Sequence, residues 1–154
     1  MLLPSTVSDV MTGDVYAFAQ DTSIETAARV LSTRHITGAP VVTQKGRPVG
    51  VVAIADLLDL DRPHTLRDGY PLFYRIIDST LEEIGGHFPV STGQVADVMS
   101  PFVLSIESSA TVAEAANRMI SESVHRLLVM DSGALTGIVT SIDLLRGFAM
   151  QMRQ

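Results

Sequence analysis

The chain has 154 residues, a net charge of −6 at pH 7 and no cysteine. The length suits one compact domain, or two small halves that depend on each other, and we expect one body. No apolar run reaches the length of a membrane span, the first residues do not resemble a secretory signal, and no basic patch offsets the negative charge. These features argue against membrane and nucleic-acid partners, and we expect a cytoplasmic protein.

The sequence contains an internal repeat. Residues 7–58 align with residues 95–145 when one residue is deleted from the second copy. The matching motifs are Val7-Ser-Asp-Val-Met11 with Val95-Ala-Asp-Val-Met99, Gly50-Val-Val with Gly137-Ile-Val, and Asp56-Leu-Leu58 with Asp143-Leu-Leu145.

Each copy predicts the order strand, helix, strand, strand, helix. The first strand is predicted at Val15–Phe18 and at Val103–Ile106. A helix is predicted to follow, since Thr22-Ser-Ile-Glu25 and Thr111-Val-Ala-Glu114 both have the form of a helix-capping box. Gly38 and Pro40 are expected to end the first helix.

Apolar residues at helical spacing define one buried face on the predicted helix of each copy. They are Ile24, Ala27, Ala28 and Leu31, and then Val112, Ala115, Ala116 and Met119. The second and third strands are expected to form a hairpin, and the first and second to run parallel. We therefore predict an α+β fold of two β-α-β-β-α repeats packed with pseudo-twofold symmetry.

The segment between the copies has no counterpart in the repeat. We assign residues 1–60 to the first module, 61–94 to a connector and 95–154 to the second module. Pro71 is expected to start an amphipathic connector helix, closed by Gly85-Gly86, with these residues on one face: Phe73, Ile76, Ile77, Leu81 and Ile84. A cap on the core is favoured for this helix over a ligand lid or a dimer contact.

The end of the chain predicts a second apolar face. It runs from Ile142 through Phe148 to Met150 and Met152. Core packing explains its first half, and a subunit contact is plausible for the rest.

Several kinds of active site are absent at the level of motifs. The sequence has no phosphate loop, no Gly-x-Ser-x-Gly elbow, no His-Glu-x-x-His and no cysteine nucleophile. The four histidines, His35, His64, His87 and His125, lack the spacing of metal ligands. We therefore expect neither an enzyme nor a metal site, and no required cofactor.

Polar side chains at the end of a predicted strand provide the best candidate site. Thr140 ends the strand that begins at Gly137, and Asp143 falls in the first turn of the next helix. A hydroxyl and a carboxylate there suit a phosphate and the cis-diol of a ribose. Helix capping alone explains the same pair equally well.

The repeated motifs Asp-Val-Met, Pro-Val-Val and Gly-Val/Ile-Val-x-x-x-Asp-Leu-Leu resemble a pair of CBS domains, named after cystathionine β-synthase. The resemblance covers nearly the whole chain except the connector and the extreme termini. It implies two clefts between the modules and often a dimer. It also implies adenosine-containing ligands: AMP, ADP, ATP or S-adenosylmethionine.

The resemblance places the family's ribose-phosphate motif on Thr140 and Asp143. It completes that site from the other module with Met11, Tyr16, Ile36 and Thr37. The side chain of Ile36 would pack on the base, while Tyr16 either stacks on the ligand or fills the core. A second cleft would use Asp56, Met99, Leu104, Val124, His125 and Arg126. Ala53 replaces the threonine there, so the two clefts are expected to be unequal.

Three classes of function remain open. The first is a non-catalytic regulatory module that binds an adenosyl ligand and signals through conformation or assembly, as a homodimer and through an unidentified effector protein. The second is a structural dimerisation or scaffold protein with degenerate clefts, which Ala53 supports. An enzyme comes third, because no acid–base pair or activated nucleophile is evident.

Overall fold

The structure is a computed structural model that describes residues 5–57, 70–75 and 92–153. It divides into unit 1, Met1–Val15 with Leu104–Gln154, and unit 2, Tyr16–Val103. In chain order its elements are α1 Val7–Val10, β1 Phe18–Ala19, α2 Ile24–Arg34, β2 Gly38–Val42, β3 Pro48–Ala53, α3 Ile54–Leu57, α4 Leu72–Arg75, α5 Val95–Val98, β4 Ser105–Ile106, α6 Val112–Glu122, β5 Arg126–Asp131, β6 Ala134–Thr140 and α7 Ser141–Met152.

Each unit contains one three-stranded sheet. The strand order is β1-β2-β3 in unit 2 and β4-β5-β6 in unit 1. In both sheets the first pair of strands is parallel and the second pair is an antiparallel hairpin. The predicted α+β class and the two repeats are confirmed, although β1 and β4 pair over only two residues each and begin later than predicted.

The helix starts follow the predicted caps in one copy and differ in the other. Thr111 and Glu114 form the expected reciprocal cap of α6, at 2.7 and 3.0 Å. The cap predicted at Thr22 is wrong, because Ser23 is the N-cap of α2 and its hydroxyl oxygen accepts from the Thr26 backbone N–H at 3.1 Å. With Ser23 as the cap, Ile24 enters the first turn and is buried.

The two long helices that follow the first strands end in the same way. His35 after α2 and Ser123 after α6 both adopt the left-handed conformation, with φ of 54° and 55°. The predicted stop at Gly38 is therefore late, since the helix ends at Arg34 and Gly38 already belongs to β2. The matching caps align Ile36 with Val124, Thr37 with His125 and Gly38 with Arg126.

The predicted buried faces form the cores of the two units. Ile24, Ala27 and Leu31 of α2 are fully buried with the sheet and α5 in unit 2. In unit 1 the equivalent side chains of α6 are buried: Val112, Ala115 and Met119. The hydrophobic periodicity of both helices is confirmed, although Ala28 and Ala116 are only half-buried.

The segment before the first strand of each copy packs against the hairpin of the other copy. In unit 1, Thr12 and Ile138 exchange two backbone hydrogen bonds of 2.9 Å. In unit 2, Val51 and Ser100 form the equivalent pair of bonds, also 2.9 Å. Each sheet thus gains an antiparallel bridge from a distant part of the sequence.

The connector is described only in part. α4 begins immediately after Pro71, as predicted, and Phe73 and Tyr74 are buried in unit 2. Ile76, Ile77, Leu81, Ile84, Gly85-Gly86, His64 and His87 lie outside the described residues. In the described part of the chain, no helix is long and apolar enough to cross a membrane.

Candidate functional site

Thr140 and Asp143 form a complete capping box at the start of α7. The Thr140 backbone N–H donates to Asp143 Oδ2 at 2.9 Å, and the Asp143 backbone N–H donates to Thr140 Oγ1 at 3.2 Å. Asp143 is buried, with 8% of its surface exposed, and its Oδ1 lies 3.6 Å from the exposed Arg146 guanidinium. The capping role is therefore real, and it fixes both side chains at the strand end.

Capping leaves both side chains with capacity to bind a ligand. The Thr140 oxygen accepts the cap bond through a lone pair, so its hydroxyl hydrogen can still donate to an oxygen atom. A carboxylate accepts through two oxygens, and only Oδ2 of Asp143 takes part in the cap. Capping and ligand binding are therefore compatible at this position.

Arg126 lies directly across the hairpin from Thr140. The two residues are register partners of β5 and β6, which places their side chains on one face with Cβ atoms about 5 Å apart. Arg126 is buried, with 7% of its surface exposed. A buried arginine on the same face as a hydroxyl, at a strand end that leads into a helix N-terminus, favours an anion, and most readily a phosphate.

His125 precedes Arg126 and is exposed. Its carbonyl oxygen accepts a bond of 2.9 Å from the backbone N–H of Ser141. His125 and Arg126 were predicted for the second cleft, yet they lie beside Thr140 in unit 1. The pairing of Arg126 with Thr140 could not be foreseen from the motifs, and the part of His125 and Arg126 in a second cleft stays a prediction.

Met11 belongs to the same unit as Thr140 and Asp143. It caps the end of α1, which contacts α7, and its sulfur lies over Gly137 of β6. A Cβ added at Gly137 would fall 2.7 Å from that sulfur. The structure therefore brings together three of the six residues predicted for the first site.

The other three residues of that site lie in unit 2. The Tyr16 ring meets the Phe18 ring edge-on at 5.1 Å, and the Arg34 guanidinium carbon lies 4.3 Å from the Tyr16 ring centre. Ile36 packs against the core, and Thr37 is buried with its carbonyl oxygen accepting from Ile54 at 2.8 Å. That all six residues serve one ligand stays a prediction.

The residues predicted for the second cleft are also distributed between the units. Asp56 and Met99 belong to unit 2, where Asp56 Oδ2 accepts from the Ala53 backbone N–H at 2.7 Å. This is half of the capping box seen at Thr140, since Ala53 has no hydroxyl to complete it. Leu104 and Val124 are buried in unit 1.

The charged groups offer no metal site in residues 5–57, 70–75 and 92–153, where no three His, Asp or Glu side chains come together.

Three carboxylates outside the candidate site have a lowered pKa. For Asp9 the main cause is the backbone N–H of Thr6, and for Glu114 it is the backbone N–H of Thr111. For Asp131 it is the hydroxyl of Ser108.

The comparison with protein families gives the class of the chain. The CBS domain family matches residues 7–62 and 95–149, which correspond to the two copies of the repeat. The chain therefore belongs to the CBS domain family and carries two CBS domains.

Among curated proteins the chain is similar to the CBS domain-containing protein CBSX2, chloroplastic, of Arabidopsis thaliana. The two are 30% identical over 156 aligned positions, which include 97% of this chain and 65% of that protein. The chain thus spans slightly less than two thirds of the length of this relative.

Two solved structures of CBSX2 share the fold. The structure of the Arabidopsis thaliana CBS-pair protein has a TM-score of 0.71 at 27% identity, covering 98% of this chain and 99% of that chain. A crystal structure of CBSX2 in complex with AMP has a TM-score of 0.68 at 29% identity, covering 97% and 98%. These similarities support the predicted family and fold.

Proposed function

We propose that this protein is a non-catalytic regulatory module that binds an adenosine-containing ligand at the Thr140 strand end. The observation that carries the proposal is the group of Arg126, Thr140 and Asp143, which offers a cation, a hydroxyl and a carboxylate on one side of a helix start. The AMP complex of CBSX2 supports the same ligand class for this chain.

Each side chain has a separate role in the proposal. Asp143 accepts hydrogen bonds from the ribose hydroxyls through its carboxylate, Thr140 donates to a phosphate oxygen, and Arg126 neutralises the phosphate charge. The family resemblance adds Met11, Tyr16, Ile36 and Thr37 to this site, with Ile36 expected to pack on the base. The Arg126 charge favours AMP, ADP or ATP over S-adenosylmethionine, whose sulfonium is positive.

Thermal unfolding with AMP, ADP, ATP, NAD and S-adenosylmethionine at millimolar concentration tests the proposal. A ligand that binds only the folded protein raises the unfolding temperature by mass action. We expect AMP, ADP or ATP to raise it, and a failure of all five ligands to do so would reject the proposal.

The substitution Asp143→Asn separates ligand binding from helix capping. It should remove most of the nucleotide-induced shift, because an amide is a poorer acceptor for two ribose hydroxyls than a carboxylate. Glu114→Gln is the matched control, since it alters the capping box of α6 in the same unit and should leave the shift intact. Equal shifts in wild type and Asp143→Asn would show that the site lies elsewhere.

Signalling and assembly complete the proposal. Occupancy is transmitted by a ligand-dependent change in conformation or assembly, in the cytoplasm and through an effector protein. A homodimer is supported by a groove of about 510 Å³ between α6 and α7 with an almost wholly apolar lining. Prominent in this groove are Ala116, Met119, Ile120, Leu144, Leu145 and Phe148.

A scaffold protein with degenerate clefts is the second candidate. The observation that favours it is Ala53, where the first copy lacks the hydroxyl that Thr140 supplies in the second. The same thermal experiment distinguishes the two functions, since a pure scaffold gains no stability from any of the five ligands.

A further inference from the structure

The strand ends that precede Asp56 and Asp143 differ in the side chains that cover them. In unit 1 the register pair is Arg126 and Thr140, and in unit 2 the equivalent pair is Gly38 and Ala53. The hairpins have the same irregularity at the same place, so equivalent side chains point in equivalent directions. The two ends can therefore be compared residue by residue.

A phenyl ring lies where unit 1 has the Arg126 side chain. A Cβ added at Gly38 would fall 3.0 Å from Cδ2 of Phe73 and 3.3 Å from the Cα of Ala53. Phe73 belongs to α4, which contacts β3, and only 3% of its surface is exposed. The connector between the repeats thus places an aromatic side chain on the strand end of unit 2.

The ring is held by its aromatic neighbours. Phe73 meets Tyr74 edge-on with ring centres 5.1 Å apart, and Tyr74 is fully buried. The Tyr74 hydroxyl donates to the Phe102 carbonyl oxygen at 2.9 Å, and the Phe102 ring also contacts Tyr70 at 5.1 Å. Phe73 and Tyr74, the aromatic cover, are therefore fixed by packing and by a hydrogen bond.

Burial at the two strand ends differs as this cover requires. Ala53 is 7% exposed, whereas its counterpart Thr140 is half-buried. A polar ligand needs access to polar groups at the strand end. In unit 1 the Thr140 side chain keeps partial access, while in unit 2 an apolar ring lies beside Gly38 and Ala53.

We propose that the aromatic cover closes the strand end of unit 2, so that each chain binds one adenosyl ligand, at the Thr140 end only. The inference rests on the proposed function and determines its stoichiometry. Phe73 acts by excluding the ligand from the space beside Gly38 and Ala53. The repeat thus carries one open and one closed copy of the same strand end.

Isothermal titration calorimetry with AMP tests the stoichiometry directly. We expect one AMP per wild-type chain, and a second binding event in the folded double variant Phe73→Ala/Ala53→Thr, which removes the ring and restores the hydroxyl. Adding Asp56→Asn to that double variant should abolish the second event. Tyr70→Ala is the matched control, since it removes a ring of the same cluster that lies on Phe102, and it should still bind one AMP.

Two results would overturn the inference. One is two AMP molecules per wild-type chain, which needs no variant and leaves the proposed function standing. The other is a single AMP in a Phe73→Ala/Ala53→Thr protein whose circular dichroism matches wild type. The absence of any AMP binding to wild type would instead reject the proposed function itself.

Discussion

Gly137 shows how closely the segment around Met11 approaches β6. A Cβ at this position would lie 2.7 Å from the Met11 sulfur and 2.8 Å from the Thr12 carbonyl oxygen. The Met11 sulfur can move. The Thr12 backbone is held, because its N–H and its carbonyl oxygen are both hydrogen-bonded to Ile138. Only glycine therefore fits at position 137 without a shift of the strand or of the segment.

Gly137→Ala should destabilise the protein by about 1–3 kcal/mol, because the added methyl group overpacks a fixed backbone contact. Urea unfolding monitored by circular dichroism measures the loss. Gly13→Ala is the control, since its Cβ would lie 3.9 Å from the nearest oxygen and its stability should change little. Equal stability of Gly137→Ala and wild type would contradict the close packing.

The position of Arg126 opposite Thr140 was not readable from the sequence. Counting back from the turn pairs Asp131 with Ala134 and would place Arg126 opposite Val139. A register shift between Val129 and Met130 instead places Arg126 opposite Thr140. Because a shift by one residue exchanges the two faces of a strand, motif spacing could not assign this side chain.

At the level of elements, the stability of the start of α6 depends on pH through Glu114. Its pKa is lowered because the Thr111 backbone N–H, and then the Thr111 hydroxyl, donate to its carboxylate. A lowered folded-state pKa means that the stabilisation is complete above the unfolded value, 4.5, and is lost as the pH falls through the folded value. Acid therefore weakens this helix start below about pH 4.5.

Glu114→Gln should reduce the acid sensitivity of stability, because an amide keeps a hydrogen-bond acceptor but does not titrate. Urea midpoints measured at about pH 6 and about pH 3 should differ less in this variant than in wild type. Glu25→Gln is the control, since the partner of Glu25 within the described residues is the exposed Arg29, at 3.4 Å. An unchanged pH difference in Glu114→Gln would contradict the assignment.

The helices and hairpins were predictable because local signals determine them. The apolar faces of α2 and α6 repeat at the spacing of a helix, and the Thr111–Glu114 motif fits the N-terminal cap of a helix. The start of α2 was predicted wrongly, since Thr22 and Ser23 are both good caps and the sequence alone does not choose between them. Phe73 was placed on a helix face, but its contact with Gly38 depends on tertiary packing.

At the level of the whole molecule, α6 and α7 of the second copy present an exposed apolar face. Ile120 is 76% exposed and Leu145 60% exposed. The residue equivalent to Ile120 in α2 is Ser32, which is also exposed. The repeat thus carries an exposed isoleucine at one position and a serine at its counterpart, as expected if only the second copy contacts another subunit.

Ile120→Glu should convert the proposed homodimer to a monomer, because a carboxylate cannot be buried in an apolar contact without a partner. Light scattering coupled to size-exclusion chromatography measures the mass. Ser32→Glu, at the equivalent place on α2, should keep the mass of wild type. A monomeric wild type at high micromolar concentration would reject the dimer, and a dimeric Ile120→Glu would place the contact on another surface.

Because residues 5–12 belong to unit 1, we expect the two units to fold at different times during synthesis on the ribosome. Unit 2 is one contiguous stretch, Tyr16–Val103, and we expect it to fold before unit 1 is complete. Thr12 has to wait for its partner Ile138, which is synthesised more than a hundred residues later. We therefore expect residues 5–12 to be among the last parts of unit 1 to reach native contacts, which makes unit 1 the unit more exposed to misassembly during synthesis.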